Sequence, residues 1–149
     1  MKIIQKTIDY AYKKWELVDG IKCYHYAAAF KGNKMIDVAR NNPISFDAKA
    51  YKLGQKFNIN TYKKYPYLHA ESFLVTKLLS RYDKIDVGWK IVVLRIGRSG
   101  KILLSKPCCN CQKILDSVGL DTVYWSIDSK TWGTSKNTIL NFNDWNYNV

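Results

Sequence analysis

Apolar side chains recur at Ile8, Ala11, Tyr12, Trp15 and Val18, and Asp19-Gly20 follows. That three-to-four-residue period predicts an amphipathic helix stopped by the Asp-Gly pair. Cys23 to Phe30 is rich in aromatic and small apolar residues; Lys31-Gly32-Asn33-Lys34 and a second apolar run, Met35 to Ala39, come next. Two short apolar runs around a Gly-Asn turn predict a hairpin. Asn41 to Tyr67 is polar, aromatic and irregular and holds two of the three prolines. It reads mainly as a long loop with room for one turn of helix, and a structureless stretch of that length inside a compact domain is usually either functional or a misassignment.

Ala70 to Arg81 carries Phe73, Leu74, Val75, Leu78 and Leu79, which predicts a broadly apolar, buried helix. Trp89 to Ile96 is dense in branched residues and reads as a strand. Gly97-Arg98-Ser99-Gly100 turns the chain, and Lys101 to Ser105 continues as a short strand or arm. Pro107 has no N–H to leave unsatisfied, so it is assigned the first position of a helix that runs to about Val118 and stops at Gly119. Thr122 to Ile127 is a further strand, Asp128 to Asn137 is turn-rich, and Thr138 to Phe142 is a last strand. A parallel crossover needs a longer connection, so these last two strands are expected to lie antiparallel. Strands interleaved with helices indicate one α/β domain over residues 1–149.

Hydrophobic residues make up 47% of the chain, enough for a packed core. The longest apolar runs, such as Ile91-Val92-Val93-Leu94, are too short to span a bilayer. Met1-Lys2-Ile3-Ile4-Gln5-Lys6 lacks the apolar core of a signal peptide. The expectation is a cytoplasmic protein with no membrane partner. The formal charge of +12 favours phosphate, on a nucleotide or a polynucleotide. However, the only arginines are Arg40, Arg81, Arg95 and Arg98, and Lys, Asn and Tyr are abundant, as AT-rich coding alone would produce. Charge by itself therefore decides nothing. Of the four cysteines, Cys108, Cys109 and Cys111 sit within four residues and only Cys23 lies elsewhere. That spacing does not make a two-disulfide framework; it fits a reducing compartment and thiolate metal ligands.

Two short motifs carry the chemistry: His69-Ala70-Glu71 at the start of the apolar helix, and Pro107-Cys108-Cys109-Asn110-Cys111 at the start of the next. Cys108 and Cys111 share a helix face and can grip one ion, and a helix N-terminus favours thiolates there. With His69 they make three protein ligands, leaving a fourth tetrahedral position open, as in catalytic rather than structural zinc sites. Glu71 is near enough to move protons without ligating. A structural Cys₃His site that recruits Cys23 is the alternative; Cys109 reads as a packed thiol.

Together the motifs match H-x-E…P-C-x-x-C, the zinc-deaminase signature, and from about Tyr24 to Ser126 the chain resembles the cytidine and deoxycytidylate deaminase superfamily. Ser105-Lys106-Pro107-Cys108-Cys109-Asn110-Cys111 with Val123-Tyr124-Trp125-Ser126 is similar to a branch of small deaminase-like proteins. The resemblance implies a three-layer α/β fold: a mixed five-stranded sheet, helices on both faces, last two strands antiparallel. It implies one zinc per chain on His69, Cys108 and Cys111, Glu71 as the proton shuttle, and substrate contacts at Asn41, Ala70 and Pro107. Asn41 is drawn from Asn41-Asn42-Pro43, with Asn42 the second choice. The segments Arg81 to Gly88 and Gly97 to Lys101 resemble insertions, and the tail after Ile127 is too short for the extra helix of the tRNA adenosine and APOBEC branches. A homo-oligomer is also implied. The expected activity is hydrolytic deamination of a cytosine-type base in a free nucleoside or nucleotide. The alternatives are single-stranded DNA or RNA, for which Tyr62-Lys63-Lys64-Tyr65-Pro66-Tyr67 offers stacking rings and cations, and a non-catalytic binding module.

Overall fold

The computed structural model describes residues 1–142 except 18, 20, 42–47 and 59–68, and does not describe the side chains of 49, 50 and 53. Its described elements are α1 (Lys2–Lys14), β1 (Cys23–Lys31), β2 (Lys34–Arg40), α2 (Ala48–Phe57), α3 (Ala70–Arg81), β3 (Lys90–Gly97), β4 (Ile102–Leu103), α4 (Cys109–Ser117), β5 (Thr122–Ser126), β6 (Thr131–Thr134) and β7 (Ile139–Asn141).

The strands form one mixed sheet in the order β2-β1-β3-β5-β6-β7, with β4 paired to β3. β3 is its spine: antiparallel to β1 and parallel to β5. Ile91, Val92, Val93 and Leu94 are all fully buried, as a strand covered on both faces requires. Strand alternation splits them between two cores. Ile91 and Val93 join Ala27, Ala29 and Val123 under α3 and α4. Val92, Leu94 and Ile96 join Tyr24, Phe30 and Trp132 under α1. Helices thus cover both faces of the sheet.

Several expectations are corrected. The sheet has seven strands among the described residues, not five. The antiparallel neighbour of β5 is β6, inside the stretch read as turns; the strand at Ile139–Asn141 pairs antiparallel to β6 and so runs in the same direction as β5. The polar composition of 128–137 hid β6. Asp128 Oδ1 accepts the backbone N–H groups of Lys130 and Thr131, both at 2.8 Å, and this tightens the turn enough for a strand to start at Thr131. The first helix starts earlier than its aromatic residues indicated. Its buried stripe is Ile3, Ile4, Thr7, Ile8 and Ala11, and Trp15 has left the helix to pack edge-on against Tyr24. The long loop contains a full helix, α2. Pro107 precedes α4 rather than opening it, and Cys108 is the N-cap. Gly119 has the positive φ (+82°) of a C-cap glycine. None of the described helices is long and apolar enough to cross a membrane.

Candidate metal centre

His69 precedes α3 in extended conformation (φ −72°, ψ 161°) and caps it. Its carbonyl accepts the N–H of Phe73 at 2.9 Å and the hydroxyl of Ser72 at 3.0 Å. Its backbone is thereby held at the helix start. Cys108 plays the same part for α4 (φ −66°, ψ 166°), its sulfur accepting the N–H of Cys111 at 3.5 Å. Cys111, one turn on, is fully buried. Two helix N-termini therefore deliver three soft or borderline donors to one point.

His69 Nδ1 lies 3.3 Å from Cys111 Sγ and 3.6 Å from Cys108 Sγ, and the three donor atoms lie within 4.8 Å of one another. Zinc bonded tetrahedrally at its usual lengths to sulfur and nitrogen would hold such donors about 3.5 Å apart. The donor set fits a single zinc ion. The Cys₃His alternative is not formed among the described residues: Cys23 lies outside the group and its sulfur instead accepts from Arg95 Nη2 at 2.9 Å. Cys109 is exposed rather than packed.

The electrostatics suit a cation. Hydrogen bonding from Cys111, and then from His69, holds the Cys108 thiol down to about 3, so it is a thiolate at neutral pH. The Cys108 hydrogen bond in turn raises the His69 imidazole. Glu71 is 5% exposed in the first turn of α3. Burial pushes its carboxyl up, while a hydrogen bond with Cys111 pulls the other way. A carboxyl that touches one ligand and resists ionisation is suited to carrying a proton.

Of the residues expected to meet substrate, Ala70 and Pro107 are buried beside the two motifs. Asn41 is half-buried and braces β1: Nδ2 donates to the Cys23 carbonyl at 3.1 Å and Oδ1 accepts the His25 N–H at 3.0 Å. Asn42 and the segment Tyr62–Tyr67 lie outside the described residues.

The motifs do not reveal the floor of the centre. His25 pairs with Arg95 across β1 and β3. By alternation from Ala27, Ala29, Ile91 and Val93, both side chains lie on the α3/α4 side. His25 is pushed down to about 4, by burial first and then by the charges of Arg95 and His69, so its ring is neutral at pH 7. Trp125 shares that face, with Lys106 Nζ 5.6 Å from its ring centre. Period-two alternation along β1 and β3 was the available signal for His25 and Arg95. No protein-family model, curated protein or solved structure matches the chain.

Proposed function

We propose that this protein is a zinc-dependent hydrolytic deaminase that converts the cytosine-type base of a nucleoside or nucleotide to its uracil counterpart, consuming water and releasing ammonia. The observation that carries the reading is the gathering of His69, Cys108 and Cys111 within 4.8 Å, with the buried Glu71 carboxyl against one of them. Zinc on these three residues would supply Lewis acidity that makes hydroxide available near neutral pH. Glu71 takes a proton from the attacking water and hands it to the ring nitrogen; it then takes the proton of the newly formed C–OH group, which becomes the carbonyl, and hands that one to the departing amine. Its raised affinity for protons suits both directions of transfer. The exposed His69 and Cys108 leave the mouth open to a substrate, while the buried Cys111 closes the inner side.

A polynucleotide substrate is the second reading, favoured by the charge of +12. A non-catalytic module is disfavoured because burying the Glu71 carboxyl has a desolvation cost that metal binding alone does not call for. The reduced cysteines belong with a cytoplasmic setting. The test is purified protein against cytidine, deoxycytidine, their monophosphates and short single-stranded oligonucleotides, with ammonia and product mass as readouts. Turnover by the wild type and its absence in Glu71→Ala, with zinc retained in both, supports the reading. A zinc-loaded wild type inert on every cytosine substrate overturns it.

A further inference from the structure

His25 is approached from two sides by the segments that carry the metal ligands. α3 runs back along β2: Lys77 Nζ donates to the Val38 carbonyl at 2.9 Å. One turn earlier, Phe73 and Asn41 share the lining of a cleft of about 450 Å³ at the β2 edge, which Lys14, Arg40 and Lys77 also line. One turn before Phe73 comes His69, whose carbonyl accepts the Phe73 N–H. The helix start is thereby carried toward the end of β2, where Asn41 Oδ1 accepts the His25 N–H at 3.0 Å. On the other side, Arg95 is the cross-strand partner of His25. Its N–H donates to Ser126 Oγ at 3.3 Å, and its Nη1 to the Leu104 carbonyl at 3.5 Å, on the segment that leads into Cys108. The His25 imidazole accordingly feels the charges of both His69 and Cys108.

The ring is uncommitted there. Asn41 spends both ends of its amide on β1, Nδ2 donating to the Cys23 carbonyl at 3.1 Å. The half-buried His25 ring makes no hydrogen bond among the described residues. Burial above all holds it neutral at pH 7, and a neutral imidazole has one N–H to donate. Arg95 cannot accept that N–H, because a guanidinium carries donors only. Among the described residues the one ion pair is Arg81–Asp37, so no carboxylate pairs with Arg95. Donors and positive charge side by side on one strand pair call for an acceptor oxygen.

A cytosine-type base presents an amine, a ring nitrogen and a carbonyl oxygen on the edge that an enzyme reads. Glu71 serves the amine and the ring nitrogen. The carbonyl oxygen is an acceptor that Glu71 does not serve. We propose that His25 is a specificity-determining residue whose imidazole N–H donates to the carbonyl oxygen of the bound base. The assignment rests on the deaminase reading of the centre. A base without that oxygen, such as adenine, leaves the N–H unmet, and a site built to bond a group rejects analogues that lack it.

The experiment is calorimetric titration of zinc-loaded Glu71→Gln protein, which binds without turning over. The probes are cytidine, deoxycytidine monophosphate and a short oligodeoxycytidine, followed by the 2-thio counterpart of whichever binds most tightly, since sulfur is the weaker acceptor. Adding His25→Phe should weaken the oxo ligand about tenfold or more, as the loss of a buried hydrogen bond does. It should leave the 2-thio ligand within about twofold. His25→Gln, whose amide also donates, should restore part of the oxo affinity. Zinc content should be the same in all, and urea denaturation checks that each variant is folded. Should His25→Phe not be folded, His25→Asn, whose shorter amide falls short of the base, serves in its place. Oxo affinity that survives the loss of the imidazole, or an equal loss for the oxo and 2-thio ligands, overturns the assignment. Wild-type protein that deaminates a cytosine substrate while its affinity ignores His25 leaves the deaminase reading standing and overturns His25 alone. Zinc-loaded wild type that neither binds nor deaminates any of the cytosine ligands overturns both.

Discussion

The hydroxyl oxygens of Ser105 and Ser126 lie 2.8 Å apart, both residues buried, and together they tie the approach to Cys108 onto the sheet. Ser105 Oγ donates to the Val93 carbonyl at 2.8 Å and accepts the Ser126 N–H at 2.9 Å. Ser126 Oγ donates to the Leu103 carbonyl at 2.6 Å, and the Ser105 N–H donates to the Ser126 carbonyl at 2.9 Å. Cys108 thus follows by three residues an anchor, Ser105, whose N–H and hydroxyl are both satisfied inside the protein. Removing either hydroxyl strands buried partners. Ser105→Ala is expected to cost about 1–3 kcal/mol in urea denaturation and to weaken zinc binding in chelator competition. An unchanged zinc affinity would show that the clamp serves the fold alone.

Metal content should separate two kinds of mutant. Cys108→Ala and His69→Ala each remove one of three donors and should lose zinc by elemental analysis, with lowered thermal stability. Cys109→Ala should keep one zinc per chain, because its sulfur faces Asn110 Oδ1 at 4.0 Å rather than the centre. A Cys109 variant that loses zinc would mean that the ligand set is different.

Replacing Glu71 with Gln keeps its shape and removes its proton chemistry. Turnover is expected to fall by at least about 10²–10⁴-fold, while zinc content holds. Thermal stability should hold or rise, because a buried carboxyl that resists ionisation gives way to a neutral amide. Retention of near-normal turnover would remove Glu71 from the mechanism.

His25 makes stability depend on acid. Its folded value, about 4, lies below the ordinary 6.5, so the unfolded chain takes up a proton first as pH falls. The stability at stake is fully present above pH 6.5 and is lost as pH drops toward 4. The full shift would be worth on the order of 3 kcal/mol, less for a ring that is only partly buried. Urea midpoints measured from pH 7 to pH 4 should therefore fall less steeply in His25→Gln than in the wild type. Parallel slopes would show that the imidazole does not titrate in this way.

Gly133 supports Trp125. A methyl group on Gly133 would run into the Trp125 indole, so Gly133→Ala must push that ring from its place. The expected result is a loss of about 1–3 kcal/mol and a shift in tryptophan emission. An unaltered spectrum and midpoint would show that the ring has room elsewhere.

The core of this protein was legible in order along the chain. The branched residues from Ile91 to Leu94 read as a strand and the Gly32-Asn33 turn as a hairpin, and both form there; that the strand is covered on both faces came from the packing of helices on either side. The spacings His69-x-Glu71 and Cys108-x-x-Cys111 already marked the candidate donors and the carboxyl, because residue type and helix pitch are local properties; that His69 meets the two cysteines was decided by the packing of two helix N-termini. β6 was not legible: its stability comes from Trp132 packing against distant strands and from a turn that Asp128 ties, not from its own polar sequence. Nor was the pairing of His25 with Arg95 on the α3/α4 side of the sheet, since strand pairing across some seventy residues brings them together. The cleft of Lys14, Arg40 and Lys77 is likewise a tertiary product. Two helices and an edge strand must pack before three cations, ordinary surface residues in the chain, share one space. Composition supplied the positive charge, and only the packed structure brought these three of its 24 lysines and arginines together.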